Sequence, residues 1–340
     1  MARFSASADY GTAGDVDVVI EAVFEDMNVK KDVFKKLDAA AKPGTVLATN
    51  TSYLDIDEIA AATERPGDVI GLHFFSPAHI MRLLEIIDAD KTADDVVATG
   101  FDLAKKLGKV GVLSGVCDGF IGNRILAKTR KQADYMIEDG ALPWEVDKAI
   151  EAWGMAMGPF RVMDLAGLDI SWAQRKRLAA TRDPNERYVA IADRICEQGW
   201  FGQKTGRGWY VYQEGKPSPN ADVEKIILDE AAKKGVQRRV LSADEIQSRI
   251  VMAMINEGAR ILDEGIARRP LDIDMVEIHG YGFPRWRGGP MCQADIIGLP
   301  KVLATIQEYA KADPMFWQPS KLLEKLVADG KTFASLNEQP

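Results

Sequence analysis

The chain has 340 residues, of which 46% are hydrophobic and 28% are charged, and its formal net charge is −8. This length is enough for two or three domains, and the composition is typical of an ordinary globular protein. No apolar run approaches the roughly 18 residues that a membrane-spanning helix needs. The negative charge argues against a nucleic-acid partner. The three cysteines are isolated, so neither a disulfide framework nor a zinc site is expected, and a reducing cytoplasm fits best.

The ends of the sequence carry no recognisable targeting signal. Residues 1–5 lack the apolar core of a secretory signal, and residues 336–340 show neither a lipidation motif nor a peroxisomal tail. We therefore expect a cytoplasmic location.

The first hundred or so residues alternate between patterns that are typical of strands and of helices. Short apolar, β-branched runs predict strands at residues 16–23, 45–49, 69–75, 83–87 and 109–113. Helices are predicted between them, at residues 28–41, 55–63 and 92–108. Strands separated by helices in this way favour a doubly wound α/β sheet.

The start that such a sheet needs for binding a dinucleotide is not found. It consists of a strand, a glycine-rich turn and a helix whose N-terminus receives the pyrophosphate, with a ribose-binding acid about 20 residues later. No GxGxxG follows a strand in this sequence, and Gly11-Thr12-Ala13-Gly14 precedes a strand and has the wrong spacing. We therefore expect the first βαβ unit, at least about 30 residues, to be missing and a sheet edge to be exposed.

From about residue 118 the pattern becomes helical and contains an internal repeat. We expect Asp118 to cap a long helix that runs to about Glu138. Arg124-Ile125 in this helix matches Arg249-Ile250 in the corresponding helix of a second copy. Further matches join Asp139-Gly140 to Glu264-Gly265, Asp147 to Asp272, and residues 164–168 to residues 295–299. Two such copies would pack face to face, because one alone exposes much apolar surface. Residues 216–221 contain two prolines and are interpreted as a linker.

Candidate catalytic side chains lie on or after the predicted strands, whose carboxyl ends line the ligand crevice of such sheets. His73 comes near the end of one apolar strand, and Glu85 lies within the next, flanked by leucine and isoleucine. A carboxylate is costly to bury without a partner, and an imidazole that gains a proton during catalysis would be such a partner. The alternative is that His73 is only a hydrogen-bonded core residue.

Other polar groups leave two interpretations open. Asn50-Thr51-Ser52 follows a strand and forms either a plain turn or part of a site, and Asn123 bonds either to backbone or to a substrate oxygen. Basic clusters at residues 128–131, 175–177 and 285–287 are either solvated helix faces or contacts for the phosphates of a nucleotide.

Taken in order, these motifs resemble the 3-hydroxyacyl-CoA dehydrogenase family. The segments that carry the resemblance are Asn50-Thr51-Ser52, His73-Phe74-Phe75-Ser76-Pro77, Leu84-Glu85-Ile86-Ile87, Gly119-Phe120-Ile121-Gly122-Asn123-Arg124 and residues 202–210. The duplicated tail, with residues 282–291, is similar to the dehydrogenase module of the multifunctional fatty-acid oxidation complex alpha subunit. The resemblance covers essentially the whole chain from about residue 9.

The resemblance implies NAD-dependent oxidation of (S)-3-hydroxyacyl-CoA to 3-oxoacyl-CoA in fatty-acid β-oxidation. By similarity His73 is the general base and Glu85 its partner, and Ser52 and Asn123 hold the substrate oxygen. The implied cofactor contacts come from Val23, Phe24, Glu25, Lys30, Ser52, Ser76 and Lys204. Ser76 departs from the asparagine that many members have, and Gln293 from a commoner aromatic residue.

The expected fold is α/β plus all-α: a truncated Rossmann-like doubly wound sheet, followed by two tandem copies of a helical 3-hydroxyacyl-CoA dehydrogenase C-terminal domain. The predicted domains are residues 1–116 for the partial NAD-binding unit, 117–215 for the first helical copy and 216–340 for the second. Because the pyrophosphate-binding loop is missing, we expect this chain to bind NAD weakly or not at all. The hydratase domain of multifunctional relatives also has no counterpart.

Two rival functions are weighed against this one. The chain could be a catalytically silent helical assembly unit of a β-oxidation complex, packed against a partner such as the thiolase subunit. A different Rossmann dehydrogenase, acting on small hydroxy acids, explains neither the duplication nor the ordered set of Ser52, His73, Glu85 and Asn123.

Overall fold

A computed structural model describes residues 4–337 of the chain. Residues 1–3 and 338–340, which carry part of the interpretation of the two ends, lie outside the described residues. Within the described range, no helix is both long enough and apolar enough to cross a membrane.

The amino-terminal part forms a five-stranded sheet in the order β1-β2-β3-β4-β5. Its strands are β1 (Val18–Glu21), β2 (Val46–Thr49), β3 (Val69–Phe74), β4 (Leu83–Ile87) and β5 (Val110–Ser114). Its helices are α1 (Met27–Ala40), α2 (Ile56–Ala60) and α3 (Asp94–Lys106). All strand pairs are parallel except β3 and β4, which run antiparallel. Each predicted strand is present, and the Rossmann-like α/β sheet is confirmed.

Apolar clusters cover both faces of this sheet, as a doubly wound fold requires. Phe34 of α1 and Ile59 of α2 pack on one face, and Val96 and Ala104 of α3 pack on the other. At the edge of the described sheet β1 pairs with β2 alone, and the side chain of Ile20 is 42% exposed.

The rest of the described chain is mainly helical. Its first copy contains α4 (Gly122–Asp139), α5 (Pro143–Trp153), α6 (Pro159–Ala166), α7 (Leu168–Leu178) and α8 (Ile191–Glu197). The later helices are α9 (Ala221–Lys233), α10 (Ala243–Asp263), α11 (Pro270–Gly280), α12 (Pro290–Ile297), α13 (Leu299–Ala310) and α14 (Lys321–Ala328). One large apolar core joins both copies. Arg124 on α4 bonds across to Glu257 on α10 at 2.7 Å, so charge as well as apolar surface holds the copies together.

The start of α4 differs from the prediction. Asp118 does not cap this helix, which begins only at Gly122 and has no side-chain cap from its preceding residue. Phe120 takes a left-handed φ of 52° directly after Gly119 at 83°, so the chain turns between Asp118 and the first helical residue.

The interpretation of residues 216–221 as a linker is wrong for most of that segment. Lys216–Pro219 is a strand, β7, which pairs antiparallel with β6 (Tyr210–Gln213). Glu214 and Gly215 both adopt positive φ and make the tight turn between them. The two prolines are tolerated because β7 is an exposed edge strand.

The repeat is present, but one predicted match is wrong. Asp147 accepts the backbone N–H of Phe160 at 2.9 Å, at the start of the helix that follows Gly158. The residue that does the same in the second copy is Asp274, which accepts the N–H of Met291 at 2.7 Å. Asp272 instead accepts the backbone N–H of Arg269, the residue that immediately precedes α11, at 3.0 Å. A longer connection before α11 shifts the register, which helix spacing alone could not reveal.

Candidate active site

His73 and Glu85 form a buried pair at the centre of the sheet. They lie directly opposite each other in the antiparallel register of β3 and β4. His73 Nδ1 is 2.7 Å from Glu85 Oε2, and the two residues are 4% and 0% exposed. An ionised carboxylate can only accept, so it holds the imidazole proton on Nδ1 and leaves the lone pair on Nε2. The geometry is that of a base with an orienting partner.

The second oxygen of Glu85 connects this pair to the helical part of the molecule. Glu85 Oε1 accepts the backbone N–H of Gly122 at 3.0 Å, and Gly122 is the first residue of α4. Glu85 therefore provides the cap that was expected from Asp118. The positive end of the helix dipole favours a negative charge at this point. Because Asn123 is the next residue, the same carboxylate also places the start of α4 beside His73.

Asn123 in turn approaches the loop that follows β2. Its Nδ2 lies 3.5 Å from the carbonyl oxygen of Ser52, and the Ser52 N–H donates to Glu25 Oε1 at 2.8 Å. One residue pair anchors this loop to β3, since Asn50 Oδ1 accepts the N–H of Phe74 at 2.7 Å. The four residues predicted to be catalytic are thus linked through direct contacts and through the elements that carry them.

Aromatic side chains enclose the imidazole. The ring of Phe75 lies 4.4 Å from that of His73, centroid to centroid, and the ring of Phe120 lies 5.7 Å away. Tyr281 meets Phe75 edge to face at 5.5 Å, and its hydroxyl lies 3.0 Å from Asn123 Oδ1. These residues exclude water from one side of the base, which strengthens its electrostatic contacts.

Sequence reasoning missed three groups of this site: the Gly122 amide, the Phe75 ring and Tyr281. The first two lie inside motifs that had been singled out, so closer attention to those motifs could have found them. Tyr281 is 158 residues from Asn123. Its only local signal is a pair of flanking glycines, which suggests a close approach of the backbone but not to which partner.

On the cofactor side, Glu25 organises the loop after β2. Its Oε1 accepts from Thr51 Oγ1 at 2.6 Å and from the N–H groups of Ser52 and Tyr53 at 2.8 and 3.1 Å. The preceding residue, Phe24, is 86% exposed. These hydrogen bonds join the end of β1 to the loop after β2, and together the two segments form one rim of the crevice. The exposed side chain of Phe24 lies on this rim.

Lys30, another predicted cofactor contact, is bound to two carboxylates near the end of β1. Its ammonium is buried and bonds to Glu21 at 2.8 Å, and it lies 3.5 Å from Glu25 Oε2. Lys30 thus stabilises the carboxylate of Glu25 from below. In this structure any influence on a dinucleotide would be exerted through Glu25 and not by direct contact.

Of the other three cofactor candidates, Val23 is exposed just after β1, and Ser76 and Lys204 lie on different parts of the chain. Ser76 is exposed just beyond β3, three residues after His73 in sequence. Lys204 belongs to the first helical copy, and its ammonium lies 2.5 Å from Asp169 Oδ1, where it lowers the pKa of that carboxyl through a hydrogen bond and its charge. Within residues 4–337, no hydrogen bond or ion pair joins Lys204 to the other predicted cofactor residues.

The donor set fits the nicotinamide end of NAD. The carboxyl ends of β1, β2 and β3 bring a half-exposed serine hydroxyl at Ser52 and an exposed one at Ser76 to the same edge, next to the base. Neutral donors around an exposed backbone are what a carboxamide and a ribose require. The glycine-rich turn that would take the pyrophosphate is not among the 340 residues.

Several known proteins are similar to this chain. It is 47% identical to the peroxisomal bifunctional enzyme of Cavia porcellus over 96% of this chain and 47% of that protein. It is 28% identical to the dehydrogenase part of multifunctional enzyme 1 from C. elegans, with a TM-score of 0.67 over 94% of this chain and 73% of that one. The 3-hydroxybutyryl-CoA dehydrogenase of Escherichia coli has the same fold, with 24% identity and a TM-score of 0.80 over 95% and 84% of the two chains. The chain spans about half the length of the curated relatives it matches.

The prediction of a cytoplasmic location is wrong on this evidence, because the curated relatives are peroxisomal or glyoxysomal enzymes. The absence of a disulfide pattern indicates a reducing compartment. It does not distinguish the cytosol from the interior of an organelle.

Two family profiles together cover nearly all of the chain. The 3-hydroxyacyl-CoA dehydrogenase NAD binding domain matches residues 1–117, and the 3-hydroxyacyl-CoA dehydrogenase C-terminal domain matches residues 119–212 and again 246–335. The second profile thus occurs twice, in agreement with the internal repeat. The chain belongs to the 3-hydroxyacyl-CoA dehydrogenase family.

Proposed function

We propose that this chain is the dehydrogenase part of a fatty-acid β-oxidation enzyme and converts (S)-3-hydroxyacyl-CoA to 3-oxoacyl-CoA with NAD. The observation that carries the proposal is the chain of hydrogen bonds from His73 through Glu85 to the Gly122 amide. It supports His73 as a base with a fixed tautomer and Asn123, the residue after Gly122, as an amide donor to the substrate. The names of the curated relatives, which are bifunctional and multifunctional β-oxidation proteins, support it.

The protein's part in the reaction is proton transfer and orientation. His73 Nε2 takes the proton of the substrate's 3-hydroxyl group, and Glu85 stabilises the imidazolium that forms. Asn123 Nδ2 and the Ser52 hydroxyl hold the substrate oxygen while it changes from hydroxyl to carbonyl. The Phe75 ring shields the imidazole, so these charges interact in a medium of low dielectric.

NAD, when bound, supplies the acceptor for the hydride that leaves C3. Ser52, Ser76 and the backbone of Val23 and Phe24 would line its nicotinamide end, with Glu25 as the support of that rim. Lys204 would reach it only after separating from Asp169.

A second candidate, a catalytically silent assembly unit, is favoured by one feature. Its two helical copies share one large apolar core, as an assembly unit requires. In that case the helical copies would serve to pack against a partner, for which we propose a thiolase subunit.

One experiment separates the two. NADH binding and NADH-dependent reduction of a short 3-oxoacyl-CoA, followed at 340 nm, are measured for this chain and for an extended protein. The extended protein carries a complete glycine-rich βαβ unit from a family member ahead of β1. We expect NADH binding and turnover by the extended protein, and turnover by the chain alone wherever it binds NADH. Absence of turnover in an extended protein that binds NADH would refute the dehydrogenase assignment.

A further inference from the structure

Tyr281 reaches the candidate active site from the second helical copy. It follows α11, which packs against the sheet so closely that a Cβ on Gly280 would lie 2.5 Å from Leu83 Cδ2. The tyrosine ring occupies the space beside Gly122, where an added Cβ would lie 2.2 Å from Tyr281 Cε2. Glycine at the first position of α4 is therefore what allows the ring to approach the helix that carries Asn123.

The hydrogen bonds around Asn123 determine which way its amide faces. The group nearest the Ser52 carbonyl must be the donor Nδ2, because a carbonyl can only accept. Oδ1 then faces Tyr281, whose hydroxyl lies 3.0 Å away and must donate. Burial raises the pKa of the Tyr281 hydroxyl well above its ordinary value, which keeps its proton in place.

The same ring is held in position from its other side. Phe75 meets Tyr281 edge to face at 5.5 Å and lies against the imidazole of His73 at 4.4 Å. Tyr281 thus contacts both Phe75, which packs on the imidazole, and the amide of Asn123. A change that removes only the hydroxyl would leave this packing intact.

We propose that Tyr281 is a positioning residue for the dehydrogenation, which orients the Asn123 amide so that its N–H groups face the substrate oxygen. Without the hydroxyl, the amide of Asn123 can rotate and present its oxygen to the oxygen of the substrate, which is repulsive for the 3-oxo product. The second helical copy therefore completes a site whose base lies in the sheet. This inference rests on the proposed function.

The test is Tyr281→Phe in the extended protein, with the short 3-oxoacyl-CoA and NADH as substrates. We expect kcat to fall about 2- to 13-fold, the range that corresponds to the loss of one hydrogen bond. KM and the thermal unfolding midpoint should change little. Tyr309→Phe is the matched control, because the Tyr309 hydroxyl donates to Ser248 on α10 at 2.9 Å, far from the base in sequence. It should leave kcat unchanged.

A double-mutant cycle with Asn123→Ala distinguishes orientation from packing. Adding Tyr281→Phe to Asn123→Ala should cause no further loss of kcat, because the amide to be oriented is gone. An unchanged kcat in Tyr281→Phe, or a second loss of the same size on top of Asn123→Ala, would overturn the proposal. If the unmodified extended protein binds NADH but has no activity, the proposed function fails instead, so the two failures are distinguishable.

Discussion

Replacing Glu85 with glutamine would change the tautomer of the catalytic histidine while keeping the shape of the site. Glu85 uses one oxygen for His73 Nδ1, at 2.7 Å, and the other for the Gly122 N–H, at 3.0 Å. Glutamine has one acceptor oxygen and one donor NH2 group of its amide at these positions. The backbone amide of Gly122 can only donate, so the oxygen of the new side chain must face it. The NH2 group of the amide then faces the imidazole and donates to Nδ1.

The consequence is a proton on the wrong nitrogen. With Nδ1 accepting, the neutral imidazole of His73 carries its hydrogen on Nε2 and cannot take the proton of a hydroxyl group. We therefore expect Glu85→Gln to lose most of the contribution of general base catalysis, about 10²- to 10⁴-fold in kcat. Both hydrogen bonds keep a partner, so the free energy of unfolding should change by only about 1 kcal/mol.

The assay is kcat for reduction of a short 3-oxoacyl-CoA by NADH in the extended protein, with thermal unfolding as a check of the fold. Glu277→Gln is the matched control. Burial, with smaller effects of the nearby Glu85 and Asp274 charges, raises the pKa of Glu277 to about 8, so glutamine resembles the neutral form it holds near pH 7. A loss of less than about tenfold in Glu85→Gln, below the range for a lost general base, would refute the tautomer argument, as would an equal loss in the control.

Two further predictions concern packing and pH. Gly122→Ala should destabilise the fold by about 1 to 3 kcal/mol and lower kcat, because the new methyl group would lie 2.2 Å from the Tyr281 ring. Urea unfolding measures the loss. Gly67→Ala is the control, because its Cβ would have its nearest neighbour at 3.5 Å. Burial raises the pKa of Asp274 from 3.8 to about 7, so between these pH values the folded state holds a proton that the unfolded state releases. The stability that this protonated carboxyl contributes is fully present below pH 4 and is lost as the pH rises to 7. Asp274→Asn should therefore flatten the pH dependence of the unfolding free energy by up to about 1.4 kcal/mol per pH unit in that window. An unchanged slope, or the same flattening in Asp272→Asn, would contradict this.

The sheet and the candidate pair of His73 and Glu85 could be found from local sequence because their signals are local. Apolar runs indicate the strands. A polar residue within or at the end of such a run must find a hydrogen-bond partner or line a site, because burying it unpaired is costly. His73 and Glu85 were found in this way, although their direct contact depends on the antiparallel pairing of β3 and β4, which the alternating pattern did not indicate.

The features that were missed depend on long-range contacts or on register. The start of α4 is set by Glu85 from another element, and so the nearby Asp118 was a natural but wrong choice of cap. The match of Asp147 failed because the connection before α11 is longer in the second copy. Tyr281 could not be placed at all, because only the packing of α11 on the sheet brings it to Asn123.

The assignment of the base can be tested by one substitution with a control in the same chain. His73→Ala and His79→Ala are compared in the extended protein for kcat with a short 3-oxoacyl-CoA and for thermal unfolding; His79 is exposed. We expect His73→Ala to lose about 10²- to 10⁴-fold in kcat while still unfolding cooperatively, and His79→Ala to retain full turnover. Turnover of His73→Ala within a few-fold of the unchanged protein would contradict its role as the base and with it the proposed mechanism.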